Sequence, residues 1–463
     1  MSLTGREENV VANIHKFIQG EDFYVVDVNS GCVHIVDELV YDILNDEKLY
    51  SKEEIINLLE DKYSIKDLEE AYQEINELVA QGSLYSEDLY ENIAKDSGNS
   101  ESYIKALCLN IAHDCNLRCK YCFADEGEYK GSRQIMSAET GKKAIDFVLA
   151  KSGPRKHIEV DLFGGEPLMA FEVVKEIVEY AKKKEKFYDK NIRFTMTTNA
   201  TLLNEEIMDY LDKNMGNVVL SIDGRKEVND KVRVRADGTG SYESILPKIK
   251  KMVELRDKTK QYYARGTFTR ENTDFFEDIM HLVNEGFDEI SIEPVVLPKE
   301  HPLSLREEDL ETIFKQYDKL YNEMIKRHEK GNEFKFYHFN IDLQGGPCVY
   351  KRISGCGAGH EYVAITPEGD IYPCHQFVGN EKFKMGNLKS PELSTEIANE
   401  FKNAHIYNKP ECIKCWARFY CSGGCQANNF NFNGDMHVPY KLGCEMQKKR
   451  IECAIALKSN FME

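Results

Sequence analysis

Fourteen cysteines in 463 residues, most of them gathered into two stretches, constrain this chain more than any other feature. Cys115, Cys119 and Cys122 lie close together. Cys348, Cys356, Cys374, Cys412, Cys415, Cys421, Cys425 and Cys444 fill the last quarter, and Cys32, Cys108 and Cys453 stand apart. Thiols this dense serve either disulfides or metal and redox chemistry, and the compartment decides which. The opening residues, Met1-Ser2-Leu3-Thr4-Gly5-Arg6-Glu7-Glu8, lack the apolar core of a signal peptide. No apolar run approaches the length needed to cross a bilayer. A cytoplasmic, reducing setting is therefore expected, with thiols free to bind metal. Acidic residues outnumber basic ones 79 to 60, and the net charge of −19 repels phosphates. No nucleic-acid or membrane partner is expected.

The patterning divides the chain into four parts. Residues 1–85 read as a small module. Strands are expected at 13–18, 23–28 and 32–36, with Asn29-Ser30-Gly31 as turn residues. Three helical patterns follow. Ser51 and Glu54 have capping-box spacing, Leu68, Ala71, Tyr72, Ile75, Leu78 and Val79 share one helical face, and Gly82 is placed to end that helix. Residues 86–103, charged and containing Ser97-Gly98-Asn99-Ser100, read as a linker. From 104 to 330, six strand patterns alternate with helical ones. This predicts an α/β fold, a partial (β/α)6 barrel open on one side, with its chemistry at the C-terminal strand ends. Residues 331–463 show little periodicity and are expected to rely on bound metal for cross-linking.

Cys115-x3-Cys119-x2-Cys122 directly follows the first barrel strand. Thiolates are the usual ligands of iron–sulfur clusters. Three cysteines leave one iron of a 4Fe–4S cube without a protein ligand, whereas structural zinc wants four protein ligands in closer pairs. The motif resembles that of the radical S-adenosylmethionine (AdoMet) enzymes, whose partial barrel also matches. That resemblance implies AdoMet bound at the open iron and cleaved by one electron to a 5′-deoxyadenosyl radical. It also implies an adenine-side position for Tyr121. Gly164-Gly165-Glu166-Pro167 after the second strand resembles the family's GGEP motif. Its glycines would allow close backbone approach, and Glu166 would take the AdoMet ammonium. Thr198-Asn199 ends the third strand. Ser221-Ile222-Asp223-Gly224 ends the fourth and resembles the segment facing the ribose and methionine. Arg233 would grip the AdoMet carboxylate, with neighbouring Arg235 as its rival.

Cys412-x2-Cys415-x5-Cys421-x3-Cys425, with Cys444 beyond it and Cys356, Gly369 and Cys374 upstream, resembles the SPASM extension of radical AdoMet enzymes. The resemblance implies one auxiliary 4Fe–4S cluster on Cys412, Cys415, Cys421 and Cys444. A second would sit on Cys356, Cys374 and Cys425, making three clusters in all. Cys348 either completes the second set or leaves its iron open to a substrate thiolate. Residues 1–85 resemble the winged-helix-like leader-recognition element of peptide-modifying enzymes, which binds a leader as an added strand. The whole arrangement is similar to thioether-forming maturases (sactipeptide and ranthipeptide type) of six-cysteine peptides. It implies a Cys-rich precursor peptide as substrate and a flavodoxin or ferredoxin as electron donor. Three rivals stay open: an anaerobic sulfatase maturase, a carbon–carbon cross-linking enzyme, and a non-catalytic iron–sulfur electron carrier. His113, His360 and His375 read as packing or polar partners, and Cys32, Cys108 and Cys453 as small buried residues.

Overall fold

The computed structural model describes residues 13–97, 102–344, 349–390 and 392–461. An antiparallel sheet comes first: β1 (Ile14–Gln19), β2 (Asp22–Asp27) and β3 (Val33–Val36), in that order. Helices α1 (Glu38–Ile43), α2 (Lys52–Leu59) and α3 (Ile65–Ala80) follow. The capping box forms as the spacing predicts: Ser51 Oγ accepts from Glu54 N, and Glu54 Oε2 accepts from Ser51 N at 2.7 Å. Leu68, Ala71 and Ile75 pack with Ile14, Val25 and Ile55 into a small core of their own. Gly82, at φ +70°, ends α3 in the left-handed conformation that glycine adopts without strain.

The sheet's other face joins the main core through Phe17, Tyr24, Val26 and Val28. The His15 ring stacks on Trp416 at 3.7 Å, and Arg418 Nη2 donates to Asn29 Oδ1 at 2.5 Å. The stretch expected to be a linker is more than that. It forms α4 (Glu91–Ser97), Tyr90 packs edge-on against Phe419, and Asp88 accepts a 2.7 Å bond from Tyr407 OH. Its charged composition concealed these anchors.

The barrel strands and helices then alternate: β4 (Ala106–His113), β5 (Leu117–Cys119), β6 (Gln134–Ile135), α5 (Ala138–Lys151), β7 (His157–Gly164), α6 (Phe171–Tyr188), β8 (Asn191–Thr198), α7 (Glu205–Asn214), β9 (Asn217–Ser221), α8 (Lys226–Val232), β10 (Arg233–Arg235), α9 (Tyr242–Leu255), β11 (Gln261–Phe268), α10 (Phe275–Asn284), β12 (Glu289–Pro294) and α11 (Leu310–His328). In the sheet the order is β4-β7-β8-β9-β11-β12, parallel throughout. Among the described residues the sheet does not close on itself. A short β13 (Lys335–Phe336) adds beyond β12. At the other end β14 (Tyr362–Ile365) adds parallel to β4, followed by β15 (Asp370–Tyr372) and β16 (Gly386–Asn387).

The C-terminal part, preceded by α12 (Val349–Ser354), departs from its expectation. It holds α13 (Thr395–Asn403), α14 (Pro410–Ile413), α15 (Arg418–Cys421), α16 (Gln426–Asn433) and the long α17 (Lys441–Asn460). It also has a core of its own around Phe377, Phe383 and Phe401. The helical signal was hidden because α17 buries the consecutive run Cys453–Leu457 rather than a single stripe. No helix among the described residues is long and apolar enough to cross a membrane.

Candidate functional site

A cavity of about 350 Å3 opens at the C-terminal ends of the parallel strands. Cys115, Cys119 and Cys122 line it together with Tyr121, Gly164, Gly165, Thr198, Asn199, Ser221 and Arg233. Local pairing brings the last of these in: β5 and β10 run antiparallel, placing Arg233 opposite Cys119. Arg233 Nη1 donates to Tyr121 OH at 2.9 Å, and Tyr121 OH donates to Asp223 Oδ2 at 2.7 Å. Burial raises the Asp223 carboxyl above its usual range, against the opposing pull of Arg233 and Tyr121. The rival Arg235 is tied instead to Ser244 Oγ.

The GGEP stretch splits in two. Gly164 and Gly165 approach the cysteine loop so closely that a Cβ on Gly165 would stand 2.1 Å from Asp114 O. Glu166 and Pro167 do not line the cavity, contrary to the role expected of Glu166. The Glu166 carboxylate is fully buried, and it accepts from Leu168 N at 3.0 Å, Thr198 Oγ1 at 2.8 Å and Asn199 N at 2.7 Å. Burial pushes it up to about 7 despite these donors. It therefore braces Thr198 and Asn199. Asn199 Nδ2 in turn donates to Asn116 Oδ1 at 2.8 Å and lies 3.6 Å from Cys115 Sγ. Asp223 likewise stands behind the cavity, where it holds Tyr121 and accepts from Thr267 N.

Several lining residues escaped the sequence reading, namely Phe123, Phe163, Arg265 and Glu293, and His375, read there as a packing or polar partner, also lines the cavity. Arg265 and Thr267, two apart on β11, both face the cavity, and strand alternation was the signal that could have found them. Arg265 Nη2 pairs with Glu293 Oε2 at 2.7 Å. Burial alone would raise the Glu293 carboxyl, but Arg265 outweighs it, by charge and by hydrogen bond, and holds it below the usual range.

Of the C-terminal cysteines, Cys421, Cys425 and Cys444 line a second cavity, of about 250 Å3. Cys356 and Cys425 are exposed and Cys374 is buried. Burial pushes Cys115 up to about 11, and Cys119, Cys412 and Cys444 up to about 12, so a metal must displace these protons on binding. Cys348 lies outside the described residues. Cys108 and Cys453 are buried, while Cys32 is half-buried rather than buried. His113 Nε2 is 3.1 Å from Asn110 Nδ2.

Residues 109–283 match the pattern of the Radical SAM superfamily, and residues 356–416 match that of the SPASM iron–sulfur cluster-binding domain. An uncharacterized protein of Methanocaldococcus jannaschii is 30% identical over 310 residues, 64% of this chain and 96% of that one. The chain belongs to the radical SAM superfamily. Its C-terminal part is a SPASM iron–sulfur domain. Radical SAM cyclopropyl synthase TigE of Paramaledivibacter caminithermalis is 24% identical over 458 residues, 92% of this chain and 91% of its own. A cysteine-type anaerobic sulfatase-maturating enzyme of Clostridium novyi is 27% identical over 336 residues, 68% and 86% of the two chains. In fold, the chain is similar to native anSMEcpe with bound AdoMet (TM-score 0.62, 22% identity, 77% of this chain, 98% of that one). It is also similar to Streptococcus suis SuiB bound to S-adenosylmethionine (TM-score 0.53, 18% identity, 93% and 98%). The residues present fit these cofactors. Cys115, Cys119 and Cys122 line one cavity, and two buried polar atoms on its wall, Arg233 Nε and Asn428 Oδ1, have no protein partner.

Proposed function

We propose that this radical SAM protein forms thioether cross-links in a ribosomally made, Cys-rich precursor peptide, joining a cysteine sulfur to a carbon of an acceptor residue. The observation that carries the reading is the N-terminal sheet. β3 is an edge strand with Ile35 46% exposed, while the sheet's other face is anchored in the main core and on Trp416. An extended leader peptide can add to such an edge through backbone bonds, with the catalytic cavity held at a set distance. SuiB, which has been solved with its precursor peptide SuiA, supports the reading by covering 93% of this chain at a TM-score of 0.53.

Cys115, Cys119 and Cys122 would hold a 4Fe–4S cluster with one iron left for AdoMet, and the pair supplies hydrogen-atom abstraction. The chain's own residues orient the substrate and cofactor. The Gly164–Gly165 backbone leaves room against the cysteine loop, and Asn199 holds that loop in place. Arg233 offers its unpartnered Nε as a fork to a carboxylate, while Tyr121 restrains Nη1. Glu293, paired with Arg265 at 2.7 Å on the cavity wall, gives that wall a fixed ion pair against which a substrate can be oriented. Cys412, Cys415, Cys421 and Cys444 would hold one auxiliary cluster and Cys356, Cys374 and Cys425 the other. The exposure of Cys356 and Cys425 gives a substrate thiolate access to that second site. A flavodoxin or ferredoxin would supply the electron.

The resemblance to TigE over nearly the whole chain favours a second reading, carbon–carbon bond formation. Anaerobic reaction with a Cys-rich precursor, followed by mass spectrometry, separates the two. Loss of two hydrogens per link with cysteines blocked to alkylation is the thioether outcome. The same loss with every cysteine alkylatable overturns it. An unmodified peptide together with no 5′-deoxyadenosine removes both.

A further inference from the structure

Lys409 is a fully buried lysine, 0% exposed. Its Nζ donates to Gly423 O at 2.8 Å, and the backbone there comes so near that a Cβ on Gly423 would stand 3.1 Å from Nζ. An ammonium out of water is costly unless an anion faces it. Among the described residues no carboxylate pairs with Lys409. The Lys409 carbonyl also accepts from Cys412 N at 2.9 Å, so the residue is tied at its backbone to the first thiol of one set. Gly423 itself sits between Cys421 and Cys425, so the bond holds the ammonium at the seam of the two sets. The other cations near these thiols differ. Arg418 is also buried and bonds Cys415 O, but it faces Asp88 at 3.8 Å; Lys448 is paired with Glu445 at 2.9 Å, and Arg450 lies only partly buried.

We propose that Lys409 is the shared counter-ion of the two auxiliary cluster sites and makes both easier to reduce. Thiolate-bound clusters carry net negative charge, and each one-electron reduction adds another. A fixed buried cation between them stabilises the reduced form of either, because little water is present to screen it. Lys409 is thus a positioning residue that acts through the clusters. The inference rests on both cysteine sets holding clusters, and it adds that their potentials are set in common by one side chain.

The test uses the full chain carrying Cys115→Ala, Cys119→Ala and Cys122→Ala, so that only auxiliary clusters form. The protein is reconstituted anaerobically with iron and sulfide and titrated with dithionite while its EPR signals are followed. Lys409→Gln keeps a donor for Gly423 O and removes the charge. It should lower both midpoint potentials by at least 59 mV, a tenfold weaker electron uptake, while Lys409→Arg stays close to the parent. Iron and sulfide for two cubes with unmoved potentials in Lys409→Gln overturns the inference. If Lys409→Gln does not load, Asn429→Asp takes its place. Asn429 Nδ2 shares the same Gly423 carbonyl at 3.2 Å, and a carboxylate there should lower both potentials by cancelling the ammonium. Unmoved potentials in that variant overturn the inference equally. Iron for fewer than two cubes in the parent defeats the cluster reading itself, and the inference with it.

Discussion

At the scale of single residues, cluster chemistry depends on side chains that cannot be exchanged. Cys119→Ala removes one of three thiols and leaves the iron–sulfur site short of a ligand. AdoMet cleavage, followed as 5′-deoxyadenosine, should fall to background. His338 tests the lumen. Burial lowers its imidazole to about 3, with Arg450 adding to the effect, and Glu293 opposes it. The unfolded chain takes up this proton below the ordinary value of 6.5, while the native chain resists until about 3. Native stability is therefore lost as pH falls through that window, at about 1.4 kcal/mol per pH unit for this one group. His338→Asn should flatten that part of the curve in denaturant unfolding run across pH. An unchanged slope would show the imidazole to be solvated. The three cysteines were legible as a group because their spacing is chemically specific; Arg233, which lines the same cavity, was suggested only by the family resemblance. The bracing role of Glu166 was not, because a motif names a residue without saying which way its carboxylate turns.

Elements explain why the site has its shape. The end of β7 approaches the cysteine loop with no room for a side chain. Gly165→Ala would drive a methyl into Asp114 O, so the loop or the strand must shift, costing about 1–3 kcal/mol. Chemical denaturation should show that loss together with weaker AdoMet binding; wild-type values for both would mean the contact is soft. Alternation and helical period gave the succession of barrel strands and helices, α5 at Ala138–Lys151 and α9 at Tyr242–Leu255 among them. The short β5–β10 pair was invisible. Three-residue strands carry no readable period, and their partners are more than a hundred residues apart in the chain.

The whole molecule joins the β3 edge, where we propose the leader binds, to the cysteine-lined cavity through a shared core. Removing residues 1–85 would strip Phe17, Tyr24 and Val26 from that core and leave the Trp416 ring without His15. Deletion is therefore a poor probe of the module. Ile35→Asp, on the exposed side of β3, is a sharper one. Leader affinity should weaken about tenfold, or 1.4 kcal/mol, while AdoMet cleavage without peptide is unchanged. Fluorescence anisotropy with a labelled leader reads the first, and product chromatography the second. Equal leader affinity in the variant would place the docking edge elsewhere.

Taken by itself, the order of residues determined the local periods, the α/β alternation and the cysteine spacings, because each depends on chemistry between near neighbours along the chain. It also gave the family resemblance, which spacing carries. Only the tertiary structure decided that β14 would extend the barrel sheet beside β4 and that Asp88 would bind the C-terminal part. Those arrangements come from packing between segments hundreds of residues apart, where burial selects the partner and no sequence period records the choice.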